Sequence, residues 1–237
     1  LNINVIRPDI NYCFADFKSD NKNLYYALGA IKNVGYEAIS NVLKERNERG
    51  KFKSISDFVN RVNPKDINKL QLEGLVKAGA FDNLNNNRAS IFNAIPNLIQ
   101  KSKVNFDNKL ANQTNLFEND NTDEDTYLPK IEDWKFEERL NMEYGAVGFY
   151  ISDHPLNQYK EICNQYNIIN FTDFNNDNKI SEANILSTIL KVQEKKTSKG
   201  LSYAIVKFSD LKSIFEIFIF SEILEKNRSI LMEGKSV

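Results

Sequence analysis

The run Leu24-Tyr25-Tyr26-Ala27-Leu28-Gly29-Ala30-Ile31-Lys32-Asn33-Val34-Gly35 passes from apolar and aromatic residues into a tight bend, and a helical period begins directly after it. Ala38, Ile39, Val42 and Leu43 recur on one face, Lys44, Arg46 and Arg49 occupy polar positions, and Gly50 is placed to stop the helix, so a helix is predicted from Tyr36 to Arg49. Ser54 followed by Asp57 has the form of a capping box opening a short helix through Phe58, Val59 and Val62, ended by Asn63-Pro64. Leu72, Leu75 and Val76 mark the buried stripe of a third helix. Lys77-Ala78-Gly79-Ala80-Phe81 then repeats the logic of the first bend, before Asn87 caps a helix through Ile91, Phe92 and Ile95. The bend-and-helix unit thus occurs twice.

From about Asn97 to Thr126 the periodicity gives way to Asn, Asp and Lys, and five of the eight residues from Glu118 to Asp125 are acidic, which predicts a mobile connector. Order returns with Trp134, Phe136, Leu140, Tyr144, Val147 and Phe149, then a bend at Ser152-Asp153-His154-Pro155-Leu156 and a short helix through Tyr159 and Ile162. From about Ala183 the period becomes two: Ile185, Ser187, Ile189 and Lys191 alternate with Leu186, Thr188 and Leu190. Tyr203, Ile205 and Lys207 do the same against Ala204, Val206 and Phe208, and Phe215–Phe220 is a third run. The expected fold class is α+β: a mainly α-helical part with two hairpins, followed by a truncated β-barrel. About three strands fit where a barrel of this kind needs five, so the barrel is expected to be cut short, with disorder or chain-to-chain pairing near residues 215–237.

Composition excludes several classes. The 41% hydrophobic and 27% charged residues are near the globular average, no apolar run reaches membrane-spanning length, and no secretory pattern opens the chain, so a cytoplasmic location is expected. Cys13 and Cys163 are too few for a disulfide framework, and with His154 as the single histidine they do not make a thiolate metal site. The net charge of −1 conceals an asymmetry: residues 1–110 carry +6, 111–180 carry −9 and 181–237 carry +2. Two surfaces can meet phosphate, separated by one that should avoid it.

Apolar-x-x-apolar-Gly at a tight turn between helices is the shape of a helix-hairpin-helix element, in which turn amides and a helix N-terminus face one phosphate without reading bases. The candidate DNA-binding residues are Lys32, Asn33, Val34 and Gly35 in the first turn, and Lys77, Ala78, Gly79, Ala80 and Arg88 around the second. Such a hairpin also simply joins packed helices. Gln113-Thr114-Asn115-Leu116-Phe117 reads as a linear docking peptide, with Leu116 and Phe117 filling an apolar pocket on a partner and Gln113 bonding at its rim. Lys195, Lys196 and Lys199 join the first two strands beside Tyr203, the charge-plus-aromatic arrangement with which oligonucleotide-binding (OB) barrels hold single strands. Asp123 and Asp125 read as a solvated charge run, and His154, before Pro155 and without a partner base or nucleophile, as structural.

In their order these features resemble the bacterial DNA polymerase III alpha-subunit family. The resemblance is carried by residues 26–35, by Phe52-Lys53-Ser54 with Asp57-Phe58, by Asn68-Lys69 with residues 75–82, and by Gly148-Phe149-Tyr150-Ile151-Ser152 and His154-Pro155-Leu156. It implies a tandem helix-hairpin-helix domain touching duplex DNA, a Gln113/Leu116/Phe117 peptide docking the sliding clamp (beta subunit), an OB-fold holding single-stranded DNA, and contacts with other replicase subunits, with no membrane. The implied layout is 1–24 as the end of a preceding polymerase domain, 25–96 as the tandem hairpins, 97–130 as the acidic connector, 131–180 as a helical extension and 181–237 as a partial OB-fold. The parent family is a DNA-directed DNA polymerase (a nucleotidyltransferase) whose metal-binding carboxylates are expected upstream of Leu1, so this segment is expected to be non-catalytic, with no cofactor of its own. Asn33 stands where that family usually has Gly, and Asn tolerates the left-handed conformation best among residues bearing a side chain. The rivals are a hairpin module of a repair protein or nuclease, a glycosylase using Lys77 and Asp82, and a scaffold whose hairpins merely pack.

Overall fold

The computed structural model describes residues 3–110, 128–177 and 179–237. The chain divides into two compact units, Leu1–Ser152 and Asp153–Val237.

The first unit opens with a small sheet of β1 (Asn4–Ile6), β2 (Lys18–Ser19) and β3 (Asn23–Tyr25), in the order β1-β3-β2, parallel then antiparallel. Asp20 closes the turn into β3 by accepting from the amides of Lys22 and Asn23 at 2.9 and 2.8 Å. Bonding to Asn23 first, and to those amides, lowers its pKa to about 2. A single 3-10 turn at Leu28–Ala30 leads into the bend, and four helices follow: α1 (Tyr36–Arg49), α2 (Ile55–Arg61), α3 (Lys69–Lys77) and α4 (Arg88–Leu110). After residue 128 comes α5 (Phe136–Val147). Their ends follow local chemistry. Gly50 leaves α1 at φ +82°, and Ser54 Oγ accepts from Asp57 N at 3.0 Å to start α2. The Asp57 carboxylate, however, receives the amide of Lys53 rather than that of Ser54, so only half of the predicted capping box forms. Asn68 and Gln71 make a full capping box at α3, and Asn87 Oδ1 accepts from Ser90 N at 2.8 Å at the start of α4, as its position predicts.

The apolar faces meet in one core in which Ile31, Ile39, Val42, Phe58, Leu75, Ile91 and Ile95 are buried. Each such side chain stabilises the unit by about 1.5–3 kcal/mol. Phe52, Phe58 and Phe81 run through it edge to face, with successive centroids 5.0 Å apart. Residues 9–13 are built into the same core: Ile10 N donates to Ala80 O, and Asn11 exchanges two bonds with the backbone of Phe52. Burial pushes the Cys13 thiol up to about 11.

Two local expectations are corrected. Arg46, assigned to the polar face of α1, is buried, and Nη1 donates to the carbonyls of Ile10 and Cys13 at 2.9 and 2.8 Å; a loop packed on a helix needs a donor for those oxygens. The fourth helix does not fade near Asn97 but continues through Pro96 to Leu110. Buried Leu98 and Ser102 and the Asn105–Asn60 amide pair hold that extension, which its polar sequence conceals.

The second unit starts with a 3-10 turn at Pro155–Tyr159, then α6 (Lys160–Gln165) and α7 (Phe171–Asn176). A meander of β4 (Thr188–Lys196), β5 (Ser202–Ser209) and β6 (Ile214–Ile219) follows, antiparallel in that order, and then α8 (Ser221–Asn227). One sheet face supplies Ile189, Ala204, Val206, Phe208 and Phe215 to a core closed by Leu224, with Phe171 stacked on Phe215 at 4.0 Å. The disorder expected near residues 215–237 is not found. That stretch forms β6 and α8, and its last residues return to β4: Ser187 and Val237 exchange two backbone bonds, and Ile189 N donates to Lys235 O at 2.8 Å. Among the described residues no helix is long and apolar enough to cross a membrane.

Candidate nucleic-acid interface

At the first bend Asn33 adopts φ +67°, in the left-handed region that Asn tolerates better than other residues bearing a side chain. Lys32, Asn33, Gly35 and Tyr36 are exposed, while Ile31 and Val34 anchor the turn in the core. Two amides are satisfied internally: Val34 N donates to Ile31 O at 3.0 Å, and Lys32 N donates to Ala146 O at 2.9 Å. The amides of Asn33, Gly35, Tyr36 and Glu37 have no acceptor among the described residues, and Gly35, the N-cap of α1, offers no side-chain cap. An anion placed there meets several N–H groups and the positive end of a 14-residue helix. Glu37, in the first turn, is an acidic neighbour of that position.

The second bend is closed. The amides of Ala78, Gly79 and Ala80 donate to Gly74 O, Val76 O and Leu75 O, and all three residues are buried. Over Gly79, at φ +80°, lies the guanidinium of Arg88, only 3% exposed. Arg88 donates to both Asp82 oxygens at 2.8 and 2.7 Å, to Lys77 O at 3.0 Å and to Glu143 at 3.3 Å. Burial works against its charge, but bonding to Asp82 and then Glu143 outweighs this and raises its pKa above the usual guanidinium value. The expectation that Ala78, Gly79, Ala80 and Arg88 face phosphate is therefore corrected: their donors are consumed inside the protein. Asp82 is paired with Arg88 and Arg139, which removes the Lys77–Asp82 pairing that a glycosylase reading needs.

Lys77, from the same set, lies elsewhere. With Lys32, Asn33, Gly74, Asn141 and Gly145 it lines one shallow cleft of about 160 Å³, so the two lysines that the sequence assigns to separate turns share one site. The cleft exists because Gly74 lets α3 touch the first bend; a Cβ there would lie 2.6 Å from Lys32 O. Glu73 also lines it, 3.9 Å from Lys77 Nζ. The contribution of α5, through Asn141 and Gly145, carries no sequence signal beyond helical periodicity. Nor does buried Glu143, whose Oε1 accepts from the amides of Ile151 and Ser152 at 3.0 and 2.7 Å.

In the second unit Lys195 and Tyr203 are direct cross-strand partners on the face turned away from the core, whereas Lys196 pairs with Ser202 and faces the other way. Lys199 is exposed in the β4–β5 turn. Gln113, Leu116 and Phe117 lie outside the described residues, as do Asp123 and Asp125. His154 acts within its own unit: Nδ1 accepts from Leu156 N at 3.2 Å, so Nε2 carries the proton and donates to Ser209 Oγ at 3.0 Å. Among the described residues no cluster of three His, Cys, Asp or Glu side chains can hold a metal ion.

The helix-hairpin-helix motif family matches residues 2–91. Relatives named DNA polymerase III subunit alpha match almost the entire chain. The protein from Borreliella burgdorferi is 31% identical over 244 aligned residues, covering 100% of this chain and 21% of its own length. That from Caulobacter vibrioides is 34% identical, covering 99% and 21%, and that from Rickettsia bellii is 36% identical, covering 91% and 18%. The chain spans about a fifth of the length of these relatives.

Proposed function

The chain is homologous over its whole length to a segment of the DNA polymerase III alpha subunits, and on that premise we propose that it is the non-catalytic, DNA-contacting and partner-docking segment of such a replicative polymerase. The observation that carries the reading is the first bend, where a row of amides without an acceptor among the described residues, a helix start with no side-chain cap and Lys32 converge beside a cleft that Lys77 also lines. A backbone phosphate of duplex DNA fits that chemistry: amides bind its oxygens, two ammonium groups screen its charge, and no base edge is touched. Relatives matching all of the chain, beyond the hairpin residues 2–91, favour the polymerase over a repair or nuclease module sharing the hairpins alone.

The second unit we read as part of an OB-fold for single-stranded DNA. Support comes from its connectivity, a three-stranded meander, then α8, then a segment pairing back onto β4, which is the path of a five-stranded Greek-key barrel. Gln113, Leu116 and Phe117 are the proposed hook for the sliding clamp, on their sequence pattern.

Salt titrations of duplex binding test the first claim. Lys32→Glu and Lys77→Glu should each lower affinity regardless of sequence and reduce the salt slope by about 1. The double variant should lose less than the sum, because both side chains serve one cleft. Wild-type slopes in both variants would refute the site. For the hook, Leu116→Ala/Phe117→Ala should abolish capture of the purified ring clamp, and undiminished capture would remove it.

A further inference from the structure

The cleft that Lys32 and Lys77 share also carries a charge of the wrong sign for phosphate. Among the described residues that line it, Glu73 is the one acid. It stands on α3 between two lysines, with its carboxylate 3.9 Å from Lys69 Nζ and 3.9 Å from Lys77 Nζ. Both separations are longer than a hydrogen bond, so Glu73 acts through its charge and is committed to neither lysine. Its side chain is 19% exposed, against 67% for Lys69, and water therefore screens it less than an ordinary surface acid.

As a ladder along one helix these three residues contribute little to stability, and the position of the middle one matters more. Gly74, the next residue, holds this part of α3 against the first bend, where an added Cβ would fall 2.6 Å from Lys32 O. Lys77 is engaged on two sides: its ammonium lies over the Phe92 ring, 5.1 Å from the centroid, and Glu73 draws it from its own helix. A phosphate entering the cleft meets a lysine already attracted to an anion of the protein, and meets that anion as a like charge.

We propose that Glu73 is a built-in competitor for the phosphate: it neutralises Lys77 in the free protein and repels the incoming anion, so duplex DNA is held more weakly than the cations of the cleft alone would hold it. The inference rests on the reading of this cleft as a phosphate site and adds how that site is regulated. A contact weakened in this way is released quickly, which suits a protein that moves along a duplex without reading its bases.

The test is fluorescence anisotropy of a labelled duplex with the whole chain at about 0.1 M salt, where the screening length is about 10 Å, alongside urea midpoints. Glu73→Gln keeps the shape and removes the charge; it should tighten binding by about 3- to 10-fold, a gain that shrinks at higher salt. Glu73→Asp keeps the charge and should not tighten binding. Glu48→Gln controls for net charge, because Glu48 lies about 18 Å along α1 from Tyr36, and it should leave affinity unchanged. A merely structural Glu73 gives a loss or no change, never a gain. If Lys32→Glu weakens binding while Glu73→Gln leaves it unchanged or weaker, the competitor is overturned and the phosphate site stands. If Lys32→Glu keeps wild-type affinity, the site and the competitor fall together. If Glu48→Gln tightens binding as much as Glu73→Gln, the gain is one of net charge and the proposal is overturned.

Discussion

Replacing Gly79 by Ala should be among the most damaging single-methyl changes in the first unit. The added Cβ would sit 2.1 Å from Arg88 Nη2, 2.7 Å from its Cζ and 2.9 Å from Asp82 Oδ2, in a residue held at φ +80°. The left-handed conformation costs Ala about 1–2 kcal/mol. Moving the guanidinium aside breaks a buried ion pair, about 3–5 kcal/mol, since Arg88 is 3% exposed and its partner Glu143 is fully buried. The sum, about 4–7 kcal/mol, is a large share of the 5–15 kcal/mol typical of a domain and corresponds to a fall in Tm of about 10–20 °C for a unit this size. Urea unfolding followed by the fluorescence of Trp134, the chain's one tryptophan, reads this unit directly, because the indole packs edge to face on Phe92 at 5.4 Å. Gly145→Ala is the internal control: its Cβ meets nothing within 4 Å, so the same methyl on α5 should be neutral or stabilise by up to about 1 kcal/mol. A Gly79→Ala midpoint shift worth less than about 1 kcal/mol would mean that Arg88 is a movable lid and the second bend is open to ligand after all.

Gly74→Ala should separate α3 from the first bend, since its Cβ falls 2.6 Å from Lys32 O; we expect about 1–3 kcal/mol of destabilisation together with weaker duplex binding, checked by urea midpoints and anisotropy. Asn33→Val, which forces a β-branched residue to φ +67°, should cost about 1–2 kcal/mol, whereas Asn33→Gly should be neutral or better; equal midpoints for the two would contradict the turn geometry. His154 gives a pH effect of defined sign. Burial, against the charges of Asp210 and Asp153, holds its pKa below 6.5, so the unfolded chain takes the proton more readily. Its contribution is complete above pH 6.5 and is lost as pH falls through the lower folded value, and protonation also removes the Nδ1 lone pair that receives Leu156 N. The gap in stability between wild type and His154→Gln should shrink from pH 7.5 to pH 5, and a pH-independent gap would sink the assignment.

Local sequence determined where several helices begin and stop. The apolar period of α1, the Asn87 cap of α4 and the Gly50 stop were legible, because periodicity, capping and left-handed glycine are settled within a few residues. β4, β5 and β6 were legible from their period of two, and the polymerase resemblance from motifs in order along the chain, whereas the short strands β1–β3 carry no such period. Whether a turn is open was decided only by tertiary structure. The two bends look alike as strings, yet the amides of Asn33 and Gly35 have no acceptor among the described residues while Gly79 lies under Arg88, whose partner Glu143 is 55 residues away. The same holds for the cleft that Lys32 and Lys77 share and for Phe218 facing outward on its sheet. Which donors remain free, and which face of a sheet stays bare, depends on what arrives from distant parts of the chain, and a one-dimensional pattern of residues does not encode that packing.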